Sequence, residues 1–189
     1  MNKITMDENH LYRVNGKIVP GVSELLMEVG LIDANVIKFA DTSLGSAVHK
    51  AAELSDKGIL DYDSCCEEVK SRLKQWRAFI SDPKFEIIAN EQMFYSKLGY
   101  CGTPDRVLKR GEDHILVDIK TSKVRSKSTK VQMAFYQRLV EENLEINIDE
   151  GWEVVLLEDK YEIVTHNDLT TENGMMKSIL NIHFYKEKK

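Results

Sequence analysis

Residues 101–123 read CGTPDRVLKRGEDHILVDIKTSK, and the pairing of this stretch decides the fold. ILVDIK (115–120) alternates as a strand does, with Ile115, Val117 and Ile119 on one face and Leu116, Asp118 and Lys120 on the other. Asp118 and Lys120 are then same-face neighbours about 6–7 Å apart, at roughly 3.3 Å per residue. A two-residue turn at Gly111-Glu112, with the glycine supplying positive φ, sets Asp105 directly opposite Asp118. Their Cβ atoms would lie roughly 4.5–5.5 Å apart, where like charges destabilise. A divalent cation between the carboxylates gives the pair a reason to exist, since oxygen ligands suit Mg²⁺ or Mn²⁺. Pro104 beside Asp105 suits a bulge or edge position that re-aims the aspartate. A longer loop would shift this register. The competing reading is two exposed strand acids, one of them bonded to Lys120.

Working outward, Asn15-Gly16 lies between two short apolar-alternating arms in LYRVNGKIV (11–19), which predicts a hairpin. GVSELLMEVG (21–30) predicts a short helix stopped at Gly30. Residues 41–58 predict a helix capped at Asp41, Thr42 or Ser43, with Gly58 past its end. A second helix is expected over Cys66–Ile80, closed by Pro83. Residues 86–97, 99–109 and 113–121 read as three strands. Residues 128–143 read as an amphipathic helix with Ser128 or Thr129 near its cap. A strand follows at 153–158, paired with Tyr161–Thr165, and a last helix runs from Asp168 to about residue 186. The expected fold is α/β, a mixed sheet flanked by helices in the order helix, three strands, helix, strand. It is read as one domain over residues 1–189, with an N-terminal hairpin and helix at about 11–30 and a core at about 41–165.

The chain is 42% hydrophobic and 30% charged, which excludes a disordered tail. No apolar run reaches membrane-span length, and MNKITMDENH has no signal-peptide core. Three cysteines, two of them adjacent, make neither a disulfide framework nor a CxxC metal site, so reduced thiols in a cytoplasm are expected. Net charge is −5, unpromising for a nucleic-acid binder until its distribution is considered. Between Lys97 and Lys130, nine Lys and Arg face four acids, and KVRSKSTK (123–130) holds four basic residues and no acid. We read Lys123, Arg125, Lys127 and Lys130 as a basic loop that follows a phosphate backbone, against the plain alternative of a solvated loop.

Two helical pairs stand out. Gly45, His49 and Glu53 recur at spacing four, beside an apolar stripe of Leu44, Ala47, Val48 and Ala51. Gly45 costs helix stability, which points to close approach by another segment or a substrate. Gln132 and Tyr136 form an i,i+4 pair flanking Val131, Phe135 and Leu139. Glu91 stands in an otherwise apolar strand. Taken singly, His49 is more often a surface residue, Tyr136 a packed one and Glu91 an edge carboxylate.

The ordered set GSAVH (45–49), NEQ (90–92), GTPDRV (102–107), DIKT (118–121) and QMAFY (132–136) resembles the PD-(D/E)XK nuclease superfamily, most closely its RecB-like branch with phage-type and mitochondrial single-strand exonucleases. KIVPGVSELL (17–26) is similar to the branch's N-terminal segment. Each motif alone is loose; their order is specific. The resemblance implies a restriction-endonuclease-like core. It implies that His49, Asp105, Asp118 and the main-chain carbonyl of Ile119 hold Mg²⁺ or Mn²⁺. Lys120 would orient or help deprotonate the attacking water, and Gln132 and Tyr136 would touch the substrate backbone. Glu91 and Glu53 would give acidic support. The cysteine pattern of the branch's iron–sulfur members is missing, so no cluster is expected. No Walker motif is present, so no nucleotide cofactor is expected.

The first functional expectation is a metal-dependent DNA exonuclease of phage or mobile-element type, acting in a bacterial or host cytoplasm. Its partner is DNA, single-stranded or with a free end, and no membrane. A homo-oligomer or a recombination or replication partner is left open. The alternatives are a structure- or site-specific endonuclease, and a degenerate fold that only binds nucleic acid. The last has no need of an intact Asp105, Asp118 and Lys120.

Overall fold

The computed structural model describes residues 2–8, 10–33, 43–123 and 126–188. Three short strands open it, β1 (Ile4–Met6), β2 (Tyr12–Val14) and β3 (Lys17–Val19), followed by helix α1 (Val22–Glu28). Asn15 and Gly16 take φ of 52° and 83° between the paired Val14 and Lys17, the left-handed two-residue turn that an Asn-Gly sequence favours. Helices α2 (Ser43–Asp56) and α3 (Glu67–Ile80) precede β4 (Phe85–Asn90), β5 (Phe94–Ser96), β6 (Tyr100–Gly102), β7 (Arg106–Arg110) and β8 (Asp113–Lys120). Helix α4 (Lys127–Leu144), β9 (Glu150–Leu156), β10 (Tyr161–His166) and helix α5 (Thr170–Lys186) complete the order. The caps proposed at Asp41 and Thr42 lie outside the described residues.

The central sheet has the order β10-β9-β8-β7-β4. Its β8–β9 pair is parallel and the other pairs are antiparallel. Parallel neighbours need a crossover, which α4 supplies. The alternation along β8 sends its two faces to different cores. Ile115, Val117 and Ile119 pack with Leu73, Trp76 and Phe79 of α3. Leu116 joins the opposite core, with Leu25 of α1, Phe135 of α4 and Leu180 of α5. The result is a mixed sheet between two helical layers, the predicted fold class. No helix among the described residues is long and apolar enough to cross a membrane.

Four details correct the sequence reading. The strand expected over 86–97 is broken into β4 and β5, because Glu91 takes a φ of 48°. The strand expected over 99–109 is broken into β6 and β7 at Thr103–Asp105, where Pro104 cannot donate a ladder hydrogen bond. Helix α4 starts earlier than expected: Ser126, not Ser128 or Thr129, is its N-cap and accepts from the Ser128 N–H. Lys127 and Lys130 therefore lie in a helical first turn and not in a loop. On α2, Ala47 is exposed and Ala52 takes its place in the buried stripe.

Candidate metal centre

Gly111 has a φ of 63°, and Arg110 pairs with Asp113 across it. The ladder keeps the expected register as far as Arg106 opposite Val117. Asp105 has just left the ladder. Instead of facing Asp118 directly, its Oδ2 accepts a 2.6 Å hydrogen bond from the Ile119 N–H. Its Oδ1 lies 3.2 Å from Nδ1 of His49.

His49 reaches the sheet from α2. Its Nε2 is 3.0 Å from the Ile119 carbonyl oxygen, which can only accept, so that nitrogen carries a proton. Its Nδ1 also lies 3.8 Å from Glu91 Oε1. The left-handed backbone at Glu91 turns this carboxylate out of the β4 line and toward His49. His49, Glu91 and Asp105 each offer a donor atom, all within 4.8 Å of one another. Oxygen donors with one imidazole suit a divalent cation such as Mg²⁺ or Mn²⁺.

Asp118 and Lys120 occupy the adjoining face. Asp118 is 5% exposed. Its Oδ2 lies 2.7 Å from the Lys120 ammonium, an ion pair inside the site. A buried carboxylate is costly without a matching cation, and in the metal-free protein Lys120 supplies it. The electrostatics agree. Burial pushes the Asp118 carboxyl up, against Lys120, and the Asp105 charge pushes it further. Burial acts on Asp105 too, but His49 and the Ile119 N–H outweigh it and hold that carboxyl below its usual range. Burial works to lower Lys120, and Asp118 outweighs it, so the ammonium stays charged. About a third of the Lys120 side chain is exposed.

The Asp105 carboxylate, 3.2 Å away, raises His49 to about 11, against burial, with further help from the Glu91 carboxylate. The pH dependence follows. A histidine raised above its unfolded value of 6.5 stabilises the fold fully below that value and loses the contribution as pH climbs toward 11. In metal-free buffer, the melting temperature is expected to fall by about 5–10 °C between pH 7 and 9. His49→Gln should flatten that slope; an equal slope in the variant would remove His49 as its source.

Gln132 Nε2 donates to the Tyr136 hydroxyl at 3.1 Å, so the two residues act as one polar unit on α4. Burial, and after it the Asp105 charge, make the Tyr136 hydroxyl less acidic. Gly102 makes room for this ring. A Cβ there would meet Tyr136 Cε1 and Leu139 Cδ1 at 2.8 Å each. Gly102→Ala is therefore expected to cost about 1–3 kcal/mol in a denaturant melt. A variant as stable as the parent would show that α4 can shift freely.

A cleft of about 800 Å³ opens beside these groups, lined by Gly45, His49, Glu53, Glu91 and Thr121. A Cβ on Gly45 would lie 3.6 Å from Thr121 Oγ1, an ordinary contact. No described segment thus requires a glycine at 45, contrary to the close protein approach considered from the sequence. Glu53 is engaged by Lys50 at 2.8 Å and Lys57 at 2.5 Å, and stands outside the three-donor group. Lys123 is paired with Glu162 at 3.0 Å. Lys127 and Lys130 are exposed and make no ion pair with a described residue. Arg125 lies outside the described residues. Two contributors escaped the sequence reading, Arg106 and Asp56, which form a buried ion pair at 2.8 Å beneath Glu91. An arginine inside the apolar strand RVL was the available signal.

A model of the PD-(D/E)XK nuclease superfamily matches residues 28–173, well over half of the chain. No curated protein matches by sequence. Among solved structures, a protein from Eubacterium rectale described as "Putative exonuclease" aligns at 12% identity with a TM-score of 0.47, over 76% of this chain and 64% of its own. This chain thus spans less than two thirds of that protein's length. The protein SSO0001 aligns at 13% identity with a TM-score of 0.38, over 85% of this chain and 86% of its own.

Proposed function

The chain belongs to the PD-(D/E)XK nuclease superfamily, and from that premise we propose that it is a divalent-metal-dependent deoxyribonuclease that degrades DNA from free ends. The observation that carries this reading is the convergence of donor atoms of His49, Glu91 and Asp105 within 4.8 Å, beside the buried Asp118–Lys120 pair. In this reading His49, Asp105, Asp118 and the Ile119 carbonyl hold Mg²⁺ or Mn²⁺, with Glu91 in support. When bound there, a divalent cation would supply Lewis acidity to the attacking water and the phosphate. Lys120, held cationic by Asp118, orients the water and meets the negative charge that grows on the phosphate. Gln132 and Tyr136 present an amide and a hydroxyl to the DNA backbone. For His49 to act as a ligand it must give up a proton, so metal affinity should rise with pH.

Lys127 and Lys130, free of ion pairs with described residues, serve as backbone contacts as the strand passes the site. Lys123 contributes less, because Glu162 already neutralises it. Replacing Lys127 and Lys130 with Gln should lower the salt slope of DNA binding by about two units, equally on unrelated sequences. Superimposable salt curves would make these lysines merely solvated. Loss on one sequence only would indicate base reading.

The test is incubation of end-labelled linear DNA, in single- and double-stranded form, and of covalently closed circles with Mg²⁺, Mn²⁺ or EDTA. Metal-dependent loss of linear substrate with intact circles is expected. Nicked or linearised circles would make the protein an endonuclease. DNA binding without cleavage of any substrate would leave a binding module.

A further inference from the structure

Arg106 follows Asp105 directly, yet the proposed chemistry does not use it. Its side chain is fully buried. A guanidinium removed from water needs partners; here Nε and Nη1 are matched, whereas the buried Nη2 has no hydrogen-bond partner among the described residues. Nε donates to Asp56 Oδ2 at 2.8 Å. Nη1 donates to the Asp105 main-chain oxygen at 2.5 Å and reaches Glu91 Oε1 at 3.4 Å. The Trp76 indole N–H holds the other Asp56 oxygen at 2.8 Å, and the guanidinium carbon lies 5.2 Å from the centre of the Trp76 ring. Glu91 in turn donates its N–H to the Asp105 carbonyl at 3.0 Å, from a left-handed backbone that a non-glycine residue keeps only when its surroundings hold it.

One guanidinium therefore ties together three separate segments. Asp56 ends α2, the helix that carries His49. Glu91 sits at the elbow between β4 and β5. Asp105 leads into β7. We infer that Arg106 is a positioning residue: anchored by Asp56 and Trp76, it fixes the Asp105 main chain and the supporting Glu91 at the spacing at which Asp105 and His49 would hold one divalent cation. The inference rests on the metal-site reading above. Lysine cannot replace it, because a single ammonium lacks the planar fork that faces Asp56 and Glu91 together.

The test is calorimetric titration of the DNA-free protein with Mn²⁺, for the parent, Arg106→Lys, Asp56→Asn and Leu73→Ala. Leu73 is fully buried in the same core as Trp76, and its truncation destabilises the fold without removing a hydrogen bond of the network. Arg106→Lys is expected to weaken Mn²⁺ binding about 10–100-fold, the usual range for groups that hold a metal ligand in place. Asp56→Asn should shift it in the same direction by less, and it carries the test alone if Arg106→Lys does not fold. Leu73→Ala should melt earlier and bind Mn²⁺ as the parent does. Parent-like affinity in both network variants, or an equal loss in Leu73→Ala, would overturn the inference and make Arg106 an ordinary core ion pair. Absence of Mn²⁺ binding in the parent would overturn it together with the metal site, whereas tight binding by parent and variants alike overturns it alone.

Discussion

Lys120→Ala is expected to slow single-turnover cleavage by about 10²–10³-fold, the range seen when one group that meets transition-state charge is removed. Mn²⁺ affinity and DNA affinity should change little. The ammonium lies 2.7 Å from Asp118 Oδ2 and reaches the surface at the end of β8. Lys120 is not a metal ligand, so its removal leaves the oxygens that would hold the cation in place. In the transition state it faces charge that the resting phosphate does not carry. An interaction made only there is read in the rate and not in binding. Near-parent turnover in the variant would take Lys120 out of the chemistry.

Asp105→Asn is expected to weaken Mn²⁺ binding by at least about 100-fold, since changes to groups that merely support a ligand already cost 10–100-fold. The substitution is a selective one. The amide oxygen can still accept from the Ile119 N–H, so the junction between β7 and β8 should hold and far-ultraviolet circular dichroism should match the parent. What disappears is the charge. His49 then loses the partner that raises it, and the pH dependence of the metal-free melting temperature should flatten with it. Unchanged Mn²⁺ affinity would place the cation elsewhere or nowhere.

The parts of the fold that were legible in the sequence are those set by local periodicity and turn chemistry. Period-two alternation sorted Ile115, Val117 and Ile119 from Leu116, and each group enters the core on its own side. Asn15-Gly16 and Gly111 announced their turns because few residues accept positive φ. The break at Glu91 was not legible, because glutamate carries no such signal and is held in place by tertiary contacts. Ser126 as N-cap was hidden among Ser128 and Thr129, equally good candidates by type. In the site, motif order suggested His49, Asp105, Asp118 and the Ile119 carbonyl, with Glu91 only in support; the three-donor group His49, Glu91 and Asp105 depends on how α2 leans on the sheet. The Arg106–Asp56 pair joins residues fifty positions apart. No local pattern encodes such a contact; only the burial of a charge inside β7 hints that a partner must exist.

The most direct measurement is the position of Mn²⁺ located by anomalous scattering in crystals of the parent. Its peak is expected within about 2.0–2.3 Å of carboxylate oxygens of both Asp105 and Asp118, with the Lys120 ammonium displaced from Asp118. A crystal that shows no peak at saturating Mn²⁺, with Lys120 still paired to Asp118, would contradict a metal centre at this site.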